Sequence, residues 1–104
     1  MNSTIKFAKK TLINNRRSNY TLPTNTKLYP AQWNWDSAFI ALGYSNFNLN
    51  YSFKEIKTLI SGQWDDGMIP HILFHIKDLN YTPNYKAWNC GRKISSSGIT
   101  QPPI

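Results

Sequence analysis

At 104 residues the chain has the length of one small domain, and it sets 12 Lys and Arg against 5 Asp and Glu, a net charge of +7. Its single cysteine, Cys90, excludes an internal disulfide and fits a reducing compartment, so a cytoplasmic location is expected. No apolar run approaches the ~18 residues of a membrane span and no apolar signal-peptide core opens the chain, so no membrane partner is expected.

Ser3 or Thr4 can cap a first helix running to about Asn15, with Ile5, Ala8 and Leu12 on its apolar stripe. The opposite face is basic, carrying Lys6, Lys9 and Lys10, with Arg16 and Arg17 just beyond, and reads as a solvated helix surface. Residues 18–32 read as irregular and extended, since Pro23 and Pro30 push Leu22 and Tyr29 out of helical geometry. A helix apolar all round is expected from about Asp36 to Tyr44, buried on every side. After a turn at Asn46-Phe47-Asn48, an amphipathic helix should run from about Asn50 to Gln63. Phe53, Ile56, Ile60 and Gln63 form its inner stripe, and Glu55 falls on the polar side. Asp65-Asp66-Gly67 is a turn, and Pro70 closes a short connection into His71-Ile72-Leu73-Phe74. Residues 78–97 show no periodicity and read as a long aromatic loop. Gln101-Pro102-Pro103 then reads as the start of a further helix, which makes the chain an N-terminal piece of something larger. A buried helix alternating with an amphipathic one suggests two concentric helical layers, with the helix starts at Asp36 and Gln101 at one common mouth.

Aromatic residues make up 14% of the chain, more large aromatic surface than so small a core needs, which points to a site or an absent neighbour. They concentrate in residues 29–44, where Trp33 and Trp35 flank Asn34 and Asp36 follows. Indole faces beside a hydrogen-bonding acid suit a sugar ring, whose C–H faces stack and whose hydroxyls donate to the carboxylate. Asp36 can equally serve as the helix N-cap, and one of the two indoles should be structural, because residues two apart at a helix entrance point in different directions. His71 and His75 are four apart, but no Glu stands between them in a His-Glu-x-x-His pattern, and no metal site is expected. Cys90 has neither a catalytic context nor a second cysteine and reads as inert.

The stretches YPAQWNWDSAF (29–39), SGQWDDGMIPHI (61–72), Tyr81-Thr82-Pro83 and SSGITQPP (96–103) together resemble the opening of the mannosylglycerate and glucosylglycerate hydrolases. These group with the processing α-glucosidases among glycosidases of the (α/α)6 toroid fold. The resemblance spans residues 13–104 and implies an all-α architecture, with residues 1–104 the incomplete N-terminal part of a single toroid domain. It also implies that Tyr29, Trp35 and Asp36 line the sugar pocket with Tyr81 and Gln101, and that Trp33 belongs to the same motif. The family's two catalytic carboxylates lie on later helices, so no catalytic residue is expected here; the segment 86–97, with Cys90-Gly91-Arg92-Lys93, departs from the family pattern. The implied partners are a small α-linked glucoside or mannoside and the missing C-terminal part of the domain, without a cofactor. Two rivals remain at this level. One is a small basic module using Arg16, Arg17, Arg92 and Lys93 on phosphates, though nucleic acid is the less expected partner. The other is an inactive truncated remnant.

Overall fold

The computed structural model describes residues 2–24, 28–76, 81–88, 90 and 94–101. In chain order the elements are α1 (Ser3–Asn15), β1 (Gln32–Trp33), α2 (Asn34–Tyr44), α3 (Leu49–Ile60), β2 (Ile72–Phe74), α4 (Tyr85–Trp88) and β3 (Ser95–Ser96). The expected features at Asp78, at Arg92-Lys93 and at Pro102-Pro103 lie outside the described residues.

The fold is helical but not all-α. Three short strands form an antiparallel sheet in the order β1-β2-β3, pairing Gln32 with Leu73, Trp33 with Ile72, and Leu73 with Ser96. These connecting segments are buried, and buried backbone N–H and C=O groups must find partners; with no helix available to them, they pair with one another. The sheet also ties the late loop to the early one. His71 N donates to the Ile99 carbonyl at 2.7 Å and Ser97 N to that of Ile72 at 3.1 Å, which fastens the approach to Gln101 along β2 on the edge opposite β1.

Helix α1 is capped one residue earlier than its hydroxyls suggest, with Asn2 Oδ1 accepting from Thr4 N at 2.7 Å. Of its expected stripe only Leu12 is partly buried, against Gly43, where an added Cβ would come within 3.2 Å of the Leu12 side chain. Tyr44, fully buried, fastens the pair: its hydroxyl donates to the Leu12 carbonyl at 3.0 Å and lies 2.8 Å from Thr21 Oγ1. Helices α2 and α3 pack on each other as a hairpin.

Two burial expectations are corrected here. Helix α2 is not buried on every side: Ser37, Ala41 and Tyr44 face inward, while Phe39 is 67% exposed and Leu42 is exposed too. In α3 the inner face is Ser52-Glu55-Leu59 rather than the Phe53-Ile60 stripe, and Phe53 stands in solvent. Glu55 is therefore inside the protein and not on a polar flank. The apolar core cluster lies on the sheet, where Ala31, Trp33, Ile72 and Phe74 are covered by Tyr81, Tyr85 and Trp88. Among the described residues no helix is long and apolar enough to cross a membrane.

Candidate functional site

Chain direction and packing build a cavity at the start of α2. Pro23, Thr24, Tyr29, Trp33, Asp36 and Gln101 line a hollow of about 360 Å³, within the roughly 300–1,000 Å³ of small-molecule sites. Four residues singled out from the sequence, Tyr29, Trp33, Asp36 and Gln101, thus surround one space although they span the chain from 29 to 101. Pro23 and Thr24 carry no motif, and only the folding back of the entry segment places them there.

Trp33 ends β1 with its indole in the core and its rim on the cavity, held edge-on by Tyr29 at 5.4 Å and by Tyr81 at 5.5 Å. Trp35, two residues on, takes the opposite direction: it is 48% exposed and meets Phe39 edge-on. Trp33 thus borders the cavity, and Trp35 lies outside its lining. Tyr81 likewise stands behind Trp33 rather than on the cavity surface. Asn34 is tied down by its own N–H to the His71 carbonyl at 2.9 Å and by its amide to the Ile69 carbonyl at 3.3 Å.

Asp36 is the third residue of α2 and not its cap; Trp33 occupies the cap position, without a side-chain cap bond. The carboxylate stands at the positive end of the helix dipole, in the first turn of α2. Partial burial pushes its proton affinity above the ordinary carboxylate value, a push that its own backbone N–H opposes. Gln101 adds a second polar side chain to the lining, and its Oε1 is buried without a hydrogen-bond partner among the described residues.

His71 and His75 flank strand β2 instead of sharing a helix face, and they meet different partners. His71 Nδ1 contacts Ser97 Oγ, and His75 Nε2 lies 2.8 Å from Gln32 Oε1 with its ring stacked on Tyr20. Among the described residues no group of His, Cys, Asp or Glu could hold a metal. Burial lowers the pKa of His75 to about 4. The unfolded chain therefore binds more protons than the folded one between about 6.5 and about 4, and stability contributed by neutral His75 is full above that window and lost as pH falls through it. The contribution is at most about 3 kcal/mol. The raised carboxyls of Asp36 and Glu55 act in the opposite sense, stabilising most at low pH, so the comparison must be made within one background. Urea melts from pH 7 to pH 4.5 should give a clearly shallower acid loss in His75→Phe than in the wild type; identical slopes would assign the acid sensitivity elsewhere.

Of the four basic residues named for phosphate contacts, Arg16 and Arg17 are engaged within the chain, and Arg92 and Lys93 lie outside the described residues. Arg16 lies over the Tyr51 ring at 3.8 Å, and Arg17 Nη1 donates to the carbonyls of Asn14 and Arg16.

Residues 29–104 match the family model described as the mannosylglycerate hydrolase MGH1-like glycoside hydrolase domain. The chain belongs to this glycoside hydrolase family. It is 42% identical over 101 residues to mannosylglycerate hydrolase MGH2 of Selaginella moellendorffii, covering 96% of this chain and 20% of that protein. To the glucosylglycerate hydrolase of Mycolicibacterium hassiacum it is 42% identical over 84 residues, covering 74% and 19% of the two chains. The crystal structure of the GH63 mannosylglycerate hydrolase from Thermus thermophilus, in complex with Tris and D-glycerate, superposes with a TM-score of 0.83 at 44% identity, over 93% of this chain and 23% of that one. This member of the MGH1-like family therefore spans about a fifth to a quarter of the length of these relatives. The family match contains all four of the cavity residues that the sequence singled out, together with Trp35, Tyr81 and Glu55.

Proposed function

We propose that residues 1–104 are the incomplete N-terminal part of a single (α/α)6 toroid domain, and that the cavity is one wall of its sugar subsite. The substrate class is a small α-linked glucoside or mannoside, with mannosylglycerate and glucosylglycerate the foremost candidates, since relatives carry those names. The observation that carries the reading is that Asp36 and Gln101 line one hollow together with the aromatic side chains of Tyr29 and Trp33. Sugar hydroxyls donate to such acceptors, and the ring's C–H faces lie against such aromatics. In this reading Tyr29 and Trp33 bound the ring, Asp36 and Gln101 bind hydroxyls, Tyr81 supports Trp33 from behind, and Trp35 stands away from the ring. The exposed faces of Phe39, Leu42 and Phe53 support the toroid, because further helices of the domain would cover them.

The chain alone is inactive in this proposal. An inverting glycosidase needs two carboxyl groups about 6.5–9.5 Å apart with water between them. Glu55 is buried with its carboxylate bound by Ser37 and Gln32, and Asp65 and Asp66 lie in a turn away from the cavity, so among the described residues Asp36 is the acid that lines it, placed to orient the sugar and not to cleave it.

The test is a chimera in which this chain replaces the matching N-terminal quarter of the Thermus thermophilus enzyme. The chimera should hydrolyse mannosylglycerate, and Asp36→Asn or Gln101→Ala within it should lower kcat/KM by about 10–100-fold, as loss of a hydrogen bond to a bound group does. The isolated 104-residue chain should release no glycerate. A folded chimera in which both substitutions leave kcat/KM unchanged would overturn the sugar-wall reading.

A further inference from the structure

One carboxylate joins the two residues that bracket the site turn. Gln32 and Ser37 stand immediately before and after Trp33–Asp36, and both are fully buried. Glu55 reaches them from the adjacent helix α3 and is itself only 1% exposed. Its Oε2 accepts from Ser37 Oγ at 2.6 Å and from Gln32 Nε2 at 3.1 Å. Gln32 Nε2 also lies 3.0 Å from Ser37 Oγ and 3.1 Å from the Glu55 carbonyl oxygen. The protons can be placed consistently: the amide donates to the serine oxygen, and the serine hydroxyl donates to the carboxylate. Thr21, on the entry segment, adds a backbone hydrogen bond to the same carboxylate, its hydroxyl proton being directed at Tyr44. On the far side Gln32 Oε1 faces His75 Nε2 at 2.8 Å, a contact that the imidazole makes as a donor with its proton on Nε2.

Simple helix packing does not call for this arrangement. A buried carboxylate is costly even when satisfied, and an apolar side chain between α2 and α3 would hold the two helices at least as well. A fully satisfied polar cluster instead confers geometry, because each short hydrogen bond admits one arrangement of its partners. The geometry set here is that of β1 and the first turn of α2, the two pieces that carry Trp33 and Asp36 to the cavity. Taking the cavity as the sugar wall proposed above, we infer that Glu55 is a positioning residue: from α3, through Gln32 and Ser37, it holds the Trp33–Asp36 turn in the conformation that binds the ring. It touches no substrate in this role and acts only through those two side chains.

Hydrogen exchange resolved along the chain, read with the near-ultraviolet circular dichroism of the indoles, tests this directly. In Glu55→Ala the amides of residues 34–38 should exchange about tenfold faster or more, relative to those at the centre of α1 and the last turn of α3. The dichroism of Trp33, held between Tyr29 and Tyr81, should collapse in parallel. Glu55→Gln should recover part of both signals, since its amide oxygen can still accept from Ser37 while its NH2 meets the backbone donor of Thr21. Uniform acceleration of all amides would mean that Glu55 supports the fold only globally, and would overturn the inference; so would unchanged exchange at the turn. Should Glu55→Ala not fold, Ser37→Ala removes a single hydroxyl from the same cluster, and the identical selective pattern is required of it. The chimera separates the two readings. If Asp36→Asn and Gln101→Ala leave catalysis intact while Glu55→Ala still releases the turn selectively, the sugar wall falls and the positioning stands. If those substitutions abolish catalysis while the Glu55 variants leave the turn rigid, the reverse holds.

Discussion

Trp33→Ala is expected to lower stability by about 3–5 kcal/mol and to erase the cavity wall at the same time. The indole is buried with Ala31, Ile72 and Phe74, and Tyr29 and Tyr81 rest their edges on it. Removing it leaves a void under the sheet that β1 and β2, with only short strands to hold them, cannot collapse to fill. A loss of this size is a large part of the roughly 5–15 kcal/mol that holds a typical domain together. Trp33→Phe should cost much less, since it keeps a ring between the two tyrosines. Urea unfolding followed by far-ultraviolet circular dichroism measures both. Comparable stability of Trp33→Ala and wild type would mean that the cluster on the sheet is not the core. Trp35→Ala is the internal control: an indole this exposed should change stability by only a few tenths of a kcal/mol.

The second large effect lies where α3 ends. A Cβ added at Gly62 would sit 2.3 Å from Leu73 Cδ2 and 2.8 Å from its Cδ1, and Leu73 is fully buried at the centre of β2. Gly62→Ala should therefore destabilise by about 1–3 kcal/mol through overpacking. Leu73→Ala alone should cost about 2–5 kcal/mol through the cavity it opens. The two faults are complementary in shape, so the double variant should be markedly more stable than the sum of the singles predicts. Strict additivity in a double-mutant cycle would show that the close approach is relieved elsewhere. It is the absence of a side chain at Gly62, and not any unusual backbone angle, that lets the end of α3 lie against the sheet.

Much of the local structure was legible in the sequence because its causes are local. The N-terminal helix ends at Asn15 as expected, the described residues of the entry segment before β1 form no helix, and Asp65-Asp66-Gly67 makes its turn with Gly67 at a φ of 98°. The family, too, was legible, since four separated stretches kept its residues in order. The strands were not. Gln32-Trp33 and Ser95-Ser96 are two residues each, too short to show an alternation, and they exist only because β2 lies between them.

Residue types and their spacing, then, determined by themselves the three longer helices, the turns, the family and the list of aromatic and polar side chains offered to a ligand, but not α4, which falls in the stretch read as a loop. Tertiary structure decided which way each of them faces. Trp33 and Trp35 are chemically the same, and only the pairing of β1 with β2 turns the first into the core and leaves the second in solvent. Phe53 and Glu55 were ranked by hydrophobicity for opposite sides of α3, and the fold reversed them. Ser37, Gln32 and Thr21, contributed by three separate segments, provide Glu55 with hydrogen bonds inside the protein, while among the described residues nothing covers Phe53. Periodicity measures how much a side chain avoids water on average; whether a buried carboxylate finds its donors depends on residues brought together only by folding.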